Sequence, residues 1–259
     1  PRLRWMSSTW ADVDRDGDLD GFIAAYGRLG GVDGLPPGDP SLLLIRQPDG
    51  TYQDIAPTFD LDHPLNKGHT FLGSFNDVNG DGWPDLFLVN DFGWRIPSTL
   101  LVNQGGTFQR VTAGVESRLE NMGLGVGDVN EDGIPDLLVT AWDNFRLYLS
   151  SPGTGAGPEW FESAAAQGLT PATDAGQNVA WGAELADLDN DTLLDAWVTI
   201  GYLDVRSDHV NPRAQPDGVW MQQPDGTFRD RAAEWGLDDP ARNRSLVLAD
   251  LNRDGWLDA

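Results

Sequence analysis

Five nine-residue segments carry oxygen-bearing side chains at alternate positions, the spacing a short loop needs to surround a hard cation. The first holds Asp12, Asp14, Asp16, Asp18 and Asp20, and the second Asp77, Asn79, Asp81, Trp83 and Asp85. The third holds Asp128, Asn130, Asp132, Ile134 and Asp136. The fourth is Asp187, Asp189, Asp191, Leu193 and Asp195, and the fifth Asp250, Asn252, Asp254, Trp256 and Asp258. Calcium takes roughly six to eight oxygens. Positions 1, 3 and 5 of such a loop can supply side chains, position 7 a backbone carbonyl and position 9 a carboxylate. Position 7 varies freely (Asp18, Trp83, Ile134, Leu193, Trp256), as a carbonyl donor permits. Position 6 is Gly17, Gly82, Gly133 and Gly255 in four copies, where a sharp turn favours positive φ. Thr192 stands there in the fourth, so that site is expected to be the weakest. The pattern predicts up to five calcium ions. Magnesium fits less well, since it prefers a strict octahedron with several waters.

Two other readings compete. An EF-hand begins similarly but needs a bidentate Glu at position 12 and flanking helices. Position 12 here is Ile23, Leu88, Val139 or Val198, and the flanks read as strands, so that reading is rejected. The plainer reading is a set of solvated acidic turns. Nineteen of the 41 acidic residues fall inside the five loops, and such crowding is repulsive unless a cation offsets it.

The loops must be positioned by regular elements. Their starts lie 65, 51, 59 and 63 residues apart. A short apolar stretch precedes each loop, as at 123–127 and 246–249. An apolar run follows it, at 21–26, 86–89, 137–140 and 196–200, and consecutive apolar residues predict a strand buried on both faces. A third strand is read at 42–45, 100–102, 147–149 and 219–221. A fourth follows the turns Asp49-Gly50-Thr51-Tyr52, Gly106-Thr107-Phe108 and Asp225-Gly226-Thr227-Phe228. Trp160-Phe161 replaces that signature in the third copy, and brief helical turns are expected at 161–168 and 231–236. Four strands per repeat predict an all-β chain of β-propeller blades, which an open sandwich would not explain. The reading gives one domain over 1–259, with blades near 1–60, 61–117, 118–174 and 175–240 and the start of a fifth at 241–259.

Bulk composition limits the partners. The formal charge is -24, from 41 acidic against 17 basic residues, which disfavours nucleic acid and anionic lipid. With 11 Trp and 10 Phe, the acidity is not that of a disordered chain. There is no cysteine, so neither a disulfide framework nor a thiol enzyme is available. No apolar run approaches the ~18 residues of a membrane span, and membrane insertion is not expected. The chain begins at Pro1 and stops at Ala259 directly after a loop, which reads as a piece of a longer protein.

The repeated loop and its flanking strands resemble the FG-GAP/VCBS repeat, which builds the integrin α-subunit propeller. The stretches Met122-Gly-Leu-Gly-Val-Gly-Asp128 through Thr140 and Gly226-Thr-Phe228 through Gly236-Leu237 look closest to the ASPIC/UnbV and cartilage acidic protein group. The resemblance implies a propeller of about seven blades with calcium in its hairpin loops. It also implies an extracellular, cell-surface or periplasmic setting and a role in adhesion.

In a propeller the metal loops and the Gly-Thr-aromatic turns share one face. The connections 27–40, 61–69, 91–97 and 204–217 build the other, and long loops on a rigid scaffold are where binding concentrates. Trp94, Arg95, Arg206 and His209 are the ligand-face candidates, with Arg28 and Arg213 adding local positive charge. Most of the tryptophans are expected to pack inside. No catalytic residue is assigned, and no nucleophile elbow, phosphate loop or zinc motif is present. Two functions remain: a module binding a protein or glycan, and a calcium-dependent polysaccharide lyase or other carbohydrate-active enzyme. The lyase would need a base such as His63, His69 or Arg95 beside a calcium-held uronate.

Overall fold

The computed structural model describes residues 4–27, 38–59, 64–142, 144–153, 158–170, 179–201, 216–238 and 241–259. The loop residues 28–37 and 204–215, with His63, Arg206, His209 and Arg213, lie outside them. The chain is all-β. Among the described residues its strands form four four-stranded antiparallel sheets with blade topology, each in simple sequential order. Blade 1 contains β1 (Trp5–Ala11), β2 (Asp20–Ala25), β3 (Leu42–Arg46) and β4 (Tyr52–Asp54). Blade 2 contains β5 (His69–Asn76), β6 (Asp85–Asp91), β7 (Thr99–Asn103) and β8 (Phe108–Val111). Blade 3 contains β9 (Asn121–Gly127), β10 (Asp136–Ala141), β11 (Asn144–Ser151) and β12 (Glu159–Glu162). Blade 4 contains β13 (Ala180–Ala186), β14 (Asp195–Ile200), β15 (Gly218–Gln222) and β16 (Phe228–Asp230). Around the fifth loop, Ala249 and Asp258 form an antiparallel bridge.

Packing divides the chain into two compact units. One comprises Pro1–Asn121 with Pro152–Glu159, and the other Met122–Ser151 with Trp160–Ala259. In the first, Phe22, Leu43, Leu86, Leu88, Leu101 and Phe108 form a core between blades 1 and 2. In the second, Leu138, Phe145, Leu147, Val198, Trp220 and Phe228 do the same for blades 3 and 4. There the rings of Phe145 and Trp220 meet edge-on at 5.1 Å.

The apolar runs make strands buried along their whole length: β6, β10, β14 and β15 expose no residue. Both faces of such a strand are covered, as consecutive apolar residues require. The fourth strands carry the polar residues outward, and β12 joins its sheet although the Gly-Thr-aromatic turn is missing. Close approach of neighbouring blades depends on small residues. A Cβ on Gly73 of β5 would come 2.5 Å from the Phe22 ring.

Brief helical turns form at 164–168 and 232–236, where the Gln167 N–H donates to the Ser163 carbonyl at 2.9 Å and the Trp235 N–H to the Arg231 carbonyl at 3.1 Å. Short helices also stand at Ala56–Thr58 and at α1 (Pro64–Lys67), where prolines near each start preset φ. One expectation needs correction: most tryptophans do not pack inside, since only Trp160, Trp197 and Trp220 are buried, whereas Trp5, Trp10, Trp94, Trp235 and Trp256 are exposed. The blade core is filled chiefly by Leu, Val and Phe, which leaves the larger indoles to strand ends and loops.

Candidate metal centres and a ligand pocket

Each of the first four Asp-rich segments links the first two strands of its blade, and similar internal bonds recur across the copies; in the second, Asp77 accepts the Gly82 N–H, while the Asp81 N–H goes to Asn79 Oδ1. At position 1, Asp12 accepts the backbone N–H groups of Asp16 (3.1 Å) and Gly17 (3.0 Å) through its two oxygens. Asp128, Asp187 and Asp250 do the same for positions 5 and 6 of their loops. At position 5, Asp16, Asp81, Asp132, Asp191 and Asp254 each accept the N–H of position 7. Position 6 has positive φ throughout, with Thr192 at 79° in the same region as Gly82 at 82°. Position 4 is left-handed as well, at Arg15, Gly80, Glu131, Asn190 and Arg253, which sequence reading did not anticipate. These two reversals curl the loop so that its acidic side chains turn inward.

Position 9 is buried and doubly anchored in the first four loops. Asp20, Asp85, Asp136 and Asp195 are at most 1% exposed. In each, one oxygen accepts the N–H of position 2: Val13 (2.9 Å), Val78 (3.1 Å), Val129 (2.7 Å) and Leu188 (2.9 Å). The other accepts the N–H of the residue at or near the end of the third strand: Arg46, Asn103, Ser150 or Gln222. Burial pushes Asp85 and Asp195 up to about 6, and Asp136 upward too. Position 9 is therefore a structural staple as well as a candidate ligand.

Two loops bring three carboxylates together. Oxygens of Asp12, Asp14 and Asp20 lie within 4.8 Å of one another, as do those of Asp187, Asp189 and Asp195. Positions 1, 3 and 9 thus converge, while the carboxylate at position 5 turns to the backbone. Asp18 forms an ion pair with Arg46 at 2.6 Å. Partial burial, and then the neighbouring carboxylates, raise Asp14 and Asp189. The second, third and fifth loops have Asn at position 3, whose amide donates to the carboxylate at position 5. In the second loop the Asp77 Oδ1 is buried without a hydrogen-bond partner among the described residues. The converging carboxylates of the first and fourth loops could hold a divalent metal ion, and the orphaned Asp77 oxygen offers a hard donor in the second.

Sequence reading missed the residues that lock adjacent loops together. Asn103 Nδ2 donates to the Val13 carbonyl of the preceding blade at 2.8 Å. Gln222 Nε2 donates to the Val129 carbonyl at 2.9 Å. The available signal was a polar residue ending an otherwise apolar third strand.

The other end of blade 2 carries a different site. β5 runs from His69 to Asn76, and at ~3.3 Å per residue its ends lie roughly 23 Å apart. Asn76 pairs with Asp85 at the metal end, and His69 with Asp91 at the other. A cavity of about 290 Å³ opens there, lined by Lys67, His69, Asp91, Phe92, Trp94, Arg95 and Ile96. Trp94 and Arg95 are thus brought together with His69. Tyr26 of blade 1, unassigned from sequence, donates its hydroxyl to Asp91 Oδ2. Asp91 Oδ1 accepts the Phe92 N–H at 2.8 Å, and Phe92 has φ of 51°. Burial raises Asp91 to about 6 and drives Tyr26 upward. His69 is 4% exposed, and neither ring nitrogen has a hydrogen-bond partner among the described residues. Burial and then Arg95 lower it to about 4, so its imidazole is neutral near pH 7. An unpartnered buried polar group costs about 1–3 kcal/mol, which marks the position as one awaiting a partner.

Residues 77–139, from the second metal loop through the third and into β10, match the FG-GAP-like repeat. No curated protein matches the sequence. Among solved structures, the exotype rhamnogalacturonan lyase YesX matches at 14% identity and a TM-score of 0.53, over 98% of this chain and 44% of its own. An Agrocybe aegerita lectin, solved for its recognition of non-reducing terminal N-acetylglucosamine, matches at 17% identity and a TM-score of 0.46. That match covers 86% of this chain and 50% of the lectin. The V. cholerae biofilm matrix protein Bap1 matches at 13% identity and a TM-score of 0.41, over 87% of this chain and 39% of its own. The chain spans half or less of the length of these structures. At 14% identity the likeness to YesX is one of fold.

Proposed function

We propose that this chain is a calcium-binding recognition module that works outside the cytoplasm, where free calcium is plentiful. Calcium in the hairpin loops sets the blades, and the connections at the opposite strand ends engage a glycan or a protein in an adhesive role. The observation that carries this reading is the convergence of oxygens of Asp12, Asp14 and Asp20 within 4.8 Å of one another, three like charges that a cation would offset. The finer likeness to the ASPIC/UnbV and cartilage acidic protein group belongs to the same reading, and so do sites in all five loops. A calcium-dependent lyase is less well supported, because His69 and Arg95 lie at the far end of blade 2 from its metal loop. The test is to display the chain on glycan and extracellular-matrix protein arrays. Binding in calcium that is abolished by EDTA supports the reading. Release of unsaturated uronate from a polysaccharide would replace it with the lyase.

A further inference from the structure

We propose that the cavity on blade 2 is a subsite for one uncharged pyranose ring of a glycan. The inference rests on the recognition reading and names the ligand class for this site. At about 290 Å³ the cavity lies at the small end of ligand pockets, which run from roughly 300 Å³ upward, so it admits one ring and not an oligosaccharide.

A pyranose offers an apolar C–H face and an edge of hydroxyls, and the cavity supplies both complements. Trp94, 57% exposed, is the platform. Its ring is held edge-on against Phe92 at 6.2 Å, with the Arg95 guanidinium 5.9 Å from its centroid. Such an amphipathic ring gives large contact area at low entropic cost. The polar edge comes from His69, Asp91, Lys67 and Arg95. A neutral imidazole has one donor and one acceptor, and a hydroxyl both gives and takes a hydrogen bond. Both nitrogens of His69 are buried and unpartnered, and a sugar hydroxyl suits whichever of them faces the cavity better than an apolar group would. Asp91 is held in place by Tyr26 and the Phe92 N–H, one bond to each oxygen, and its remaining lone pairs can accept hydroxyls.

Charge decides between a neutral and an acidic sugar. Lys67 and Arg95 line the cavity, but Asp91 lines it too, Asp39 acts on His69 and Glu120 acts on Asp91. The cations are thus matched by carboxylates, and a ligand carboxylate gains little there.

The experiment titrates the whole chain, in calcium, with the methyl glycosides of glucose, galactose and mannose and with methyl glucuronide. Binding is read by saturation-transfer NMR and tryptophan fluorescence. The expected result is binding of at least one neutral glycoside, weaker binding of the glucuronide, and a loss of about tenfold or more in Trp94→Ala at an unchanged melting temperature. His69→Phe is expected to lose binding as well. Tighter binding of the glucuronide, or wild-type binding by the Trp94→Ala variant, overturns the proposal. If none of these sugars binds but the arrays identify a calcium-dependent ligand, the subsite is wrong and the recognition reading stands. If the arrays also find none, both fall.

Discussion

The Arg15 guanidinium lies 4.3 Å from the centroid of the Trp83 ring, so a residue of the first Asp-rich loop caps a residue of the second. Arg15 also donates to the Gly82 carbonyl at 2.9 Å and the Asp81 carbonyl at 2.8 Å. Asn190 makes the equivalent bond from the fourth loop to the Gly255 carbonyl of the fifth at 3.2 Å. The first and second loops, and the fourth and fifth, are thus tied through a left-handed fourth residue. Arg15→Ala is expected to cost about 1 kcal/mol, the sum of exposed hydrogen bonds and one cation–π contact. Arg15→Lys should not restore it, because a single ammonium cannot span two carbonyls while stacking on an indole. Urea unfolding of the three proteins checks this, and wild-type stability in Arg15→Ala would count against the tie.

Position 9 and position 5 of a loop should respond differently. Asp136 is fully buried and holds three backbone N–H groups, of Val129, Asn130 and Ser150, whereas Asp132 is exposed. Asp136→Asn turns an amide donor toward one of those N–H groups and should cost about 3 kcal/mol with or without calcium. Asp132→Asn should cost at most about 0.5 kcal/mol in EDTA and lower only the calcium-induced gain. Equal losses in EDTA would show that position 9 is no staple.

Thr192 holds φ of 79°, a region costly for a β-branched residue. Thr192→Gly is expected to stabilise the metal-free chain by about 0.5–1 kcal/mol and to tighten calcium at the fourth loop. Calorimetry with unchanged or weaker affinity would contradict it. The sequence pattern made Thr192 the mark of a weak site, yet its loop is one of the two whose three carboxylates converge. Backbone strain and ligand charge therefore oppose each other there.

The pair His69 and Asp91 predicts a pH signature. Asp91 is raised to about 6, so the folded chain binds its proton more tightly than the unfolded chain. Its contribution to stability is present below about pH 4 and is lost as pH rises toward 6. His69 is lowered to about 4, so its contribution has the opposite sign and grows as pH rises from 4 to 6.5. Asp39 and Arg95 act on His69, and Tyr26 and Glu120 on Asp91, so both shifts belong to this pocket. Each is worth at most about 2–3 kcal/mol, and in the wild type they nearly cancel. Relative to wild type, His69→Phe should lose stability between pH 4 and 6, and Asp91→Asn should gain it. Parallel pH profiles for all three proteins would contradict the assignment.

Much of this architecture was legible in local pattern. Consecutive apolar residues at 86–89 and 196–200 announced strands covered on both faces, and the alternate acids announced the loops. The residues that lock the assembly were not legible. Asn103 and Gln222 act on carbonyls 90 and 93 residues away, which no local spacing records. The pocket is a similar case. Trp94 and Arg95 stood out as a loop pair, but Tyr26 read as an ordinary strand end and Asp91 as the start of a connection until pairing of β5 and β6 placed His69 opposite Asp91. The Trp count misled, because burial was settled by blade geometry and not by residue type.

The central claim is that these loops hold calcium and that calcium holds the blades. Thermal unfolding of the chain in 1 mM calcium and in EDTA tests it most directly. With site affinities near 10 μM, linkage gives about 2.7 kcal/mol per occupied site, so the melting temperature should rise clearly with calcium. The gain should shrink in Asp14→Asn and Asp189→Asn, which remove a carboxylate from each convergent trio. Superimposable melting curves in calcium and EDTA would contradict the account.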